Sequence, residues 1–108
     1  MSSASPSWGT EIAVENVGGI PFRMYTQRPH RVEELIELSR RWGARPQVIQ
    51  GESLLSFEDL YHAVAAKADA LAGLGIQRGN RVFMLAWSSA EFIVNFWACI
   101  CAGAVPVL

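Results

Sequence analysis

Gly79-Asn80-Arg81-Val82-Phe83-Met84-Leu85-Ala86, continued by Trp87-Ser88-Ser89-Ala90-Glu91-Phe92 and closed by Gly103-Ala104-Val105-Pro106-Val107-Leu108, reads as strand, helix, strand. Gly79-Asn80 makes a turn into Arg81–Ala86, an almost unbroken apolar run. Such a run predicts a strand covered on both faces, as in a parallel sheet. Ser88 and Glu91 have the spacing of a capping box that opens a helix from about Ala90 to Ala102. Gly103 ends it, and Ala104–Leu108 begins a second apolar strand. Two strands joined by a helix with short links form a βαβ unit, which is right-handed almost without exception. The fold class expected is therefore α/β, with a partial doubly wound sheet.

Only Glu91 and Asn95 are polar in the helix from Ala90 to Ala102. A helix apolar nearly all round needs cover on more than one side. The sheet can supply one side. Another can come from the clearest helix of the chain, where Phe57, Leu60, Tyr61, Val64, Ala68, Leu71 and Leu74 fall on one face. Ser56 and Asp59 resemble a capping box for it, Gly75 fits as the left-handed residue that stops it, and Ile76 can fold back on the last turn. Further upstream, Val48-Ile49-Gln50 and Leu54-Leu55 flank the turn residues Gly51-Glu52-Ser53, a hairpin pattern. Between His30 and Gly43, Val32, Leu35, Ile36, Leu38 and Trp42 recur near helical spacing, with early glutamates and late arginines that suit the helix dipole. From Met1 to Gly19 no period persists. Residues 1–20 are expected to be a disordered leader, and residues 21–108 one incomplete subdomain. The final strand has an unpaired edge at Leu108, so the sequence is expected to be physically unfinished.

Composition limits the functional classes. In 108 residues, 51% are hydrophobic, 18% are charged and the formal net charge is −1. Disorder over most of the chain is excluded. Lysine and arginine are scattered, so nucleic-acid binding has no compositional support. At this length folding buries only roughly two-thirds of the chain's surface, so the chain is apolar beyond its size. Cys99 and Cys101 are too few for a disulfide framework and suit a reducing cytoplasm. Met1–Thr10 has no Lys, no Arg and no apolar core, unlike a secretory signal.

The order of the pieces carries a resemblance. Leu55-Ser56-Phe57-Glu58-Asp59-Leu60, Ala70-Leu71-Ala72-Gly73-Leu74-Gly75-Ile76, Gly79-Asn80-Arg81-Val82, Ser88-Ser89-Ala90-Glu91-Phe92 and Ala98-Cys99-Ile100-Cys101-Ala102-Gly103-Ala104-Val105-Pro106-Val107 together resemble the adenylate-forming (AMP-binding) superfamily. The likeness covers about Pro29 to Leu108. It is most like acyl-CoA synthetases, such as fatty-acid–CoA and aryl–CoA ligases. Asn80 stands where the family commonly has Asp, a change that keeps turn chemistry. The resemblance implies the first part of the large amino-terminal domain of an AMP-forming ligase. It also implies a two-step reaction: a carboxylate and ATP·Mg²⁺ give an acyl-adenylate and pyrophosphate, then coenzyme A displaces AMP. The Ser/Thr/Gly-rich phosphate loop, the acidic ribose ligand and the catalytic lysine of that family do not occur here.

Bland readings compete with each motif. Gly73, Gly75 and Gly79 follow a helix and not a strand, so they read as caps and turns, not as a dinucleotide fingerprint. Cys99 and Cys101 lie two apart on a helix and face different ways, with no further metal ligand nearby. His30 and His62 have no nucleophile in a convincing context. Trp87, Phe92, Phe96 and Trp97 read as core at helical spacing. Trp87 is the exception, because it follows the carboxyl end of a parallel strand, where ligands of such sheets gather. It is the candidate acyl-pocket wall. Phe92–Leu108 is shorter than the about 20 apolar residues of a membrane span, and Asn95, Gly103 and Pro106 interrupt it.

The expectation is an amino-terminal ligase segment with no catalytic, cofactor-binding or metal-binding residue of its own, inactive alone and cytoplasmic. ATP, Mg²⁺, coenzyme A and a carboxylic-acid substrate belong to the complete family enzyme. The expected partner is the remainder of the ligase chain. Two alternatives stand beside it: a stand-alone interaction module that self-associates through the strand edge, and a small membrane-associated protein using residues 92–108.

Overall fold

The structure is a computed structural model that describes Gly9 and residues 11–108. It divides into two compact units, one ending at His30 and the other running from Arg31 to Leu108.

In the first unit, strands β1 (Ile12–Val17) and β2 (Ile20–Tyr25) pair antiparallel, with Ile12 opposite Tyr25 and Val17 opposite Ile20. Gly18 and Gly19 make the turn with φ of +59° and +82°, a backbone that glycine adopts without steric cost. The leader expected over residues 1–20 is therefore strand from Ile12 onward. Its apolar residues alternate too briefly to signal a period, and pairing with β2 supplies what propensity did not. Met1–Trp8 and Thr10 lie outside the described residues. The carboxyl end of the hairpin is tied down by Arg28, whose guanidinium donates to both Glu15 oxygens at 2.9 Å. It also donates to the Tyr25 carbonyl.

The second unit holds the helices. α1 (Glu33–Leu38) tightens into a 3₁₀ turn over Ser39–Trp42. One continuous helix was the expectation. The buried Ser39 hydroxyl donates to the Ile36 carbonyl at 2.7 Å, and that back-bond competes with the regular ladder. β3 (Pro46–Gln50) and β4 (Ser53–Ser56) form the expected hairpin, with a bulge between Pro46 and Val48. α2 (Phe57–Gly73) opens on a complete capping box. The Asp59 amide donates to Ser56 Oγ at 3.0 Å, and the Ser56 amide donates back to Asp59 Oδ2 at 3.5 Å. α2 closes on Gly75 at φ +90°, with the Ile76 amide donating to the Leu71 carbonyl and the Gly75 amide to the Ala72 carbonyl. These two bonds satisfy carbonyls that a bare helix end would leave open.

β5 (Arg81–Phe83), α3 (Ala90–Cys101) and β6 (Val105–Val107) make the βαβ unit, and β5 and β6 pair parallel as the sequence implies. Asn80 sets its turn: Asn80 Oδ1 accepts from the Gln77 amide at 2.7 Å, a bond Asp would make equally well. The cap of α3 is Ser89, not Ser88. Its Oγ accepts from the Phe92 amide at 3.1 Å, the third position of the helix. The strand expected through Ala86 stops at Phe83 because its partner β6 runs out at Val107, which accepts the last bond from the Met84 amide.

Ile36, Leu60, Val64 and Val94 from α1, α2 and α3 form the buried core, flanked by Leu55, Tyr61, Ile93 and Trp97. β5 does not share in it fully. Val82 and Met84 are half-buried, whereas Phe83 and Leu85 are 81% and 103% exposed. The expectation of burial on both faces thus holds for one face only within these residues.

Candidate functional site

Three places bear on chemistry. The first is the end of β5. Trp87 stands beyond its carboxyl end, 90% exposed, between Leu85 and the Ser89 cap. The sheet places it where the geometry of parallel α/β folds gathers ligands. Phe92, Phe96 and Trp97 go the other way: they are half-buried on α3, and Phe96 and Trp97 meet edge to face at 6.1 Å. The start of α3 is already partnered, since the Ala90 amide donates to Gln50 Oε1 at 3.1 Å.

The second is a charged brace between the 3₁₀ turn and α2. Arg40 donates to Glu58 at 3.1 Å, stands 3.6 Å from Glu37 and lies over the Tyr61 ring at 4.0 Å. His62 Nε2 is 2.8 Å from the same Glu58 carboxylate. The hydrogen bond from Arg40 holds the Glu58 carboxyl below the usual carboxylate range. His62 is thus an exposed helix residue within hydrogen-bonding distance of Glu58. Sequence spacing alone had not linked Arg40 to Glu58, because the contact joins two elements. The i, i+4 offset of Glu58 and His62 was the available signal.

The third is an open cleft of about 250 Å³ lined by Glu33, Ile36, Glu37, Tyr61, Val64, Ala65 and Cys101. Burial raises the Cys101 thiol above its ordinary value, and Glu33 and Glu37 raise it further. A thiol so placed stays protonated and is a poor nucleophile. Cys99 is buried in the helical core and is raised by burial as well.

Gly75 and Gly79, with φ of +90° and +85°, follow α2, and a Cβ built on either would meet open space. Gly103 serves packing, since a Cβ there would stand 3.4 Å from Arg78 Cα, Cβ and Cγ. Among the described residues no group of three or more His, Cys, Asp or Glu stands together, and no helix is long and apolar enough to cross a membrane.

The family of AMP-binding enzymes matches residues 36–108. A 4-hydroxybenzoate–CoA/benzoate–CoA ligase of Rhodopseudomonas palustris is 33% identical over 89 residues, 82% of this chain and 16% of that protein. A salicyl-AMP ligase / salicyl-S-ArCP synthetase of Mycobacterium tuberculosis is 35% identical over 79 residues, 68% of this chain and 14% of that protein. Among solved structures, apo MbtA of Mycobacterium smegmatis superposes with a TM-score of 0.69 at 30% identity, covering 73% of this chain and 15% of that one. The chain therefore spans about one-sixth of the length of the relatives it matches. It belongs to the AMP-binding enzyme family and corresponds to the amino-terminal segment of the adenylate-forming superfamily.

Proposed function

We propose that this chain is the amino-terminal scaffold of an ATP-dependent, AMP-forming ligase that activates an aromatic carboxylic acid. The observation that supports this reading most is the pair of relatives at 33% and 35% identity, both named for aryl acids. An aryl acid is preferred on that ground to a fatty acid, the other class that the resemblance implies. In the proposed reaction the carboxylate attacks the α-phosphorus of ATP, the bond to the bridging oxygen breaks and pyrophosphate leaves. A thiol then attacks the acyl carbon and AMP departs. We take the thiol to be that of coenzyme A, as in the name of the first relative.

The charge developed at phosphorus demands a cradle of donors, a metal and a cation. Among the described residues no group of His, Cys, Asp and Glu is gathered for a metal, and no step of the reaction is assigned to this segment. What this chain offers is support, and one wall. Trp87 presents an exposed indole at the strand end, a flat apolar surface suited to stacking an aromatic ring. The rest of the ligase is its proposed partner, and the cytoplasm its proposed compartment. ATP–pyrophosphate exchange by the ligase that carries this segment tests the reading. Exchange should be driven by benzoate far better than by octanoate, and Trp87→Ala should raise the KM for benzoate. Preference for octanoate would overturn the aryl assignment.

Phe83, Leu85 and Trp87 also favour a second reading, self-association through the open face and free edge of the β5–β6 pair. Sizing of the purified chain tests it. A concentration-independent monomer would count against it.

A further inference from the structure

Leu85, Ala86, Trp87 and Ser88 are all exposed, and among the described residues they make no hydrogen bond. This segment hangs between two fixed points. One is the Met84 amide on the Val107 carbonyl at 2.9 Å. The other is the start of α3. There the first-turn amides have no helical partners and need other acceptors. Ser89 Oγ takes Phe92, a bond made within the same turn, which moves wherever that turn moves. Gln50 Oε1 takes Ala90 at 3.1 Å from forty residues upstream. Gln50 is the last residue of β3, held opposite Ser53 at the turn that Gly51 makes with φ +59°. Its oxygen is therefore referenced to a different element from the one it grips.

We infer that Gln50 is a positioning residue: by holding the Ala90 amide from the β3–β4 hairpin, it fixes the α3 end of the segment that presents Trp87. The functional weight of this rests on the proposed reading of Trp87 as a pocket wall. The chemistry required at position 50 is an acceptor oxygen at the end of a side chain of this length. Glutamate supplies one, and its charge also suits a helix amino terminus. Alanine and leucine do not.

Amide hydrogen exchange and indole NMR on the full chain test this. In Gln50→Ala, exchange at Ala90 should rise about five-fold relative to Val64 in buried α2, the loss expected for one partly solvated hydrogen bond. The Trp87 indole resonance should shift with it. Gln50→Glu should restore both, and Gln50→Leu should not. Unchanged exchange at Ala90 would overturn the inference. So would faster exchange with an unmoved Trp87 resonance, or failure of Gln50→Glu to restore either signal. Titration of benzoate into the unsubstituted chain reads the pocket wall separately. A Trp87 resonance indifferent to benzoate would count against the wall and leave the Gln50 result standing.

Discussion

The three-helix layer and the β5–β6 pair are both rich in apolar residues, yet only the helices bury some of them fully. Leu60 in α2 is 0% exposed, covered by α1 and α3, while Leu85 past the end of β5 is 103% exposed. Helices can cover one another within a short stretch of chain. A parallel sheet cannot, because it needs layers on both faces and a partner at each edge. Apolarity thus records the burial a residue is suited to, and neighbours decide whether that burial occurs. α2 shows both conditions along its own length: Leu60 and Val64 are buried, whereas Leu74 at its far end is 79% exposed.

This contrast can be broken by substitution. Leu60→Ala should destabilise the second unit by about 2–5 kcal/mol, the range for removing a fully buried leucine. Urea denaturation followed by far-UV circular dichroism measures it, and a cost below about 1 kcal/mol would show that the helical layer is not the core. Ser56→Ala removes the capping box of α2 and should cost about 1 kcal/mol in the same experiment. Acid sharpens the picture at the Arg40–Glu58 brace. The Glu58 pKa is lowered in the folded chain by Arg40, so the unfolded state takes up the proton first as pH falls. The stabilisation is present above the unfolded value and is lost as pH drops through the folded one. Glu58→Gln should flatten the fall in urea midpoint on acidification. An equally steep fall in both proteins would contradict the brace. Leu85→Ala belongs at the bottom of the scale, within about 0.5 kcal/mol of the parent, since it removes no buried surface. A large loss there would mean that the open face is covered in solution.

Much of this was legible because local chemistry is written in short spacings. The Ser56/Asp59 box, the Gly75 stop with Ile76 folded back, the hairpin around Gly51 and the Gly79-Asn80 turn each depend on residues within ten positions of one another. The errors share one cause. The hairpin over Ile12–Tyr25, the early end of β5 at Phe83 and the 3₁₀ turn at Ser39 were all decided by a partner or a competing bond that no hydrophobic period records. The choice of Ser89 over Ser88 as cap is a one-residue shift, the usual precision of helix boundaries. The place of Trp87 after a strand was legible, while its role as a pocket wall is a proposal. Gln50 was not legible, because a polar residue at the end of a short strand gives no sign of an amide forty residues away.

The central proposal is that this chain is scaffold for a ligase and does not itself act on phosphate. ATP–pyrophosphate exchange by the purified 108-residue chain, with benzoate, ATP and Mg²⁺, tests it most directly. The account predicts no exchange above the protein-free background. Exchange that depends on both the chain and the carboxylate would contradict it.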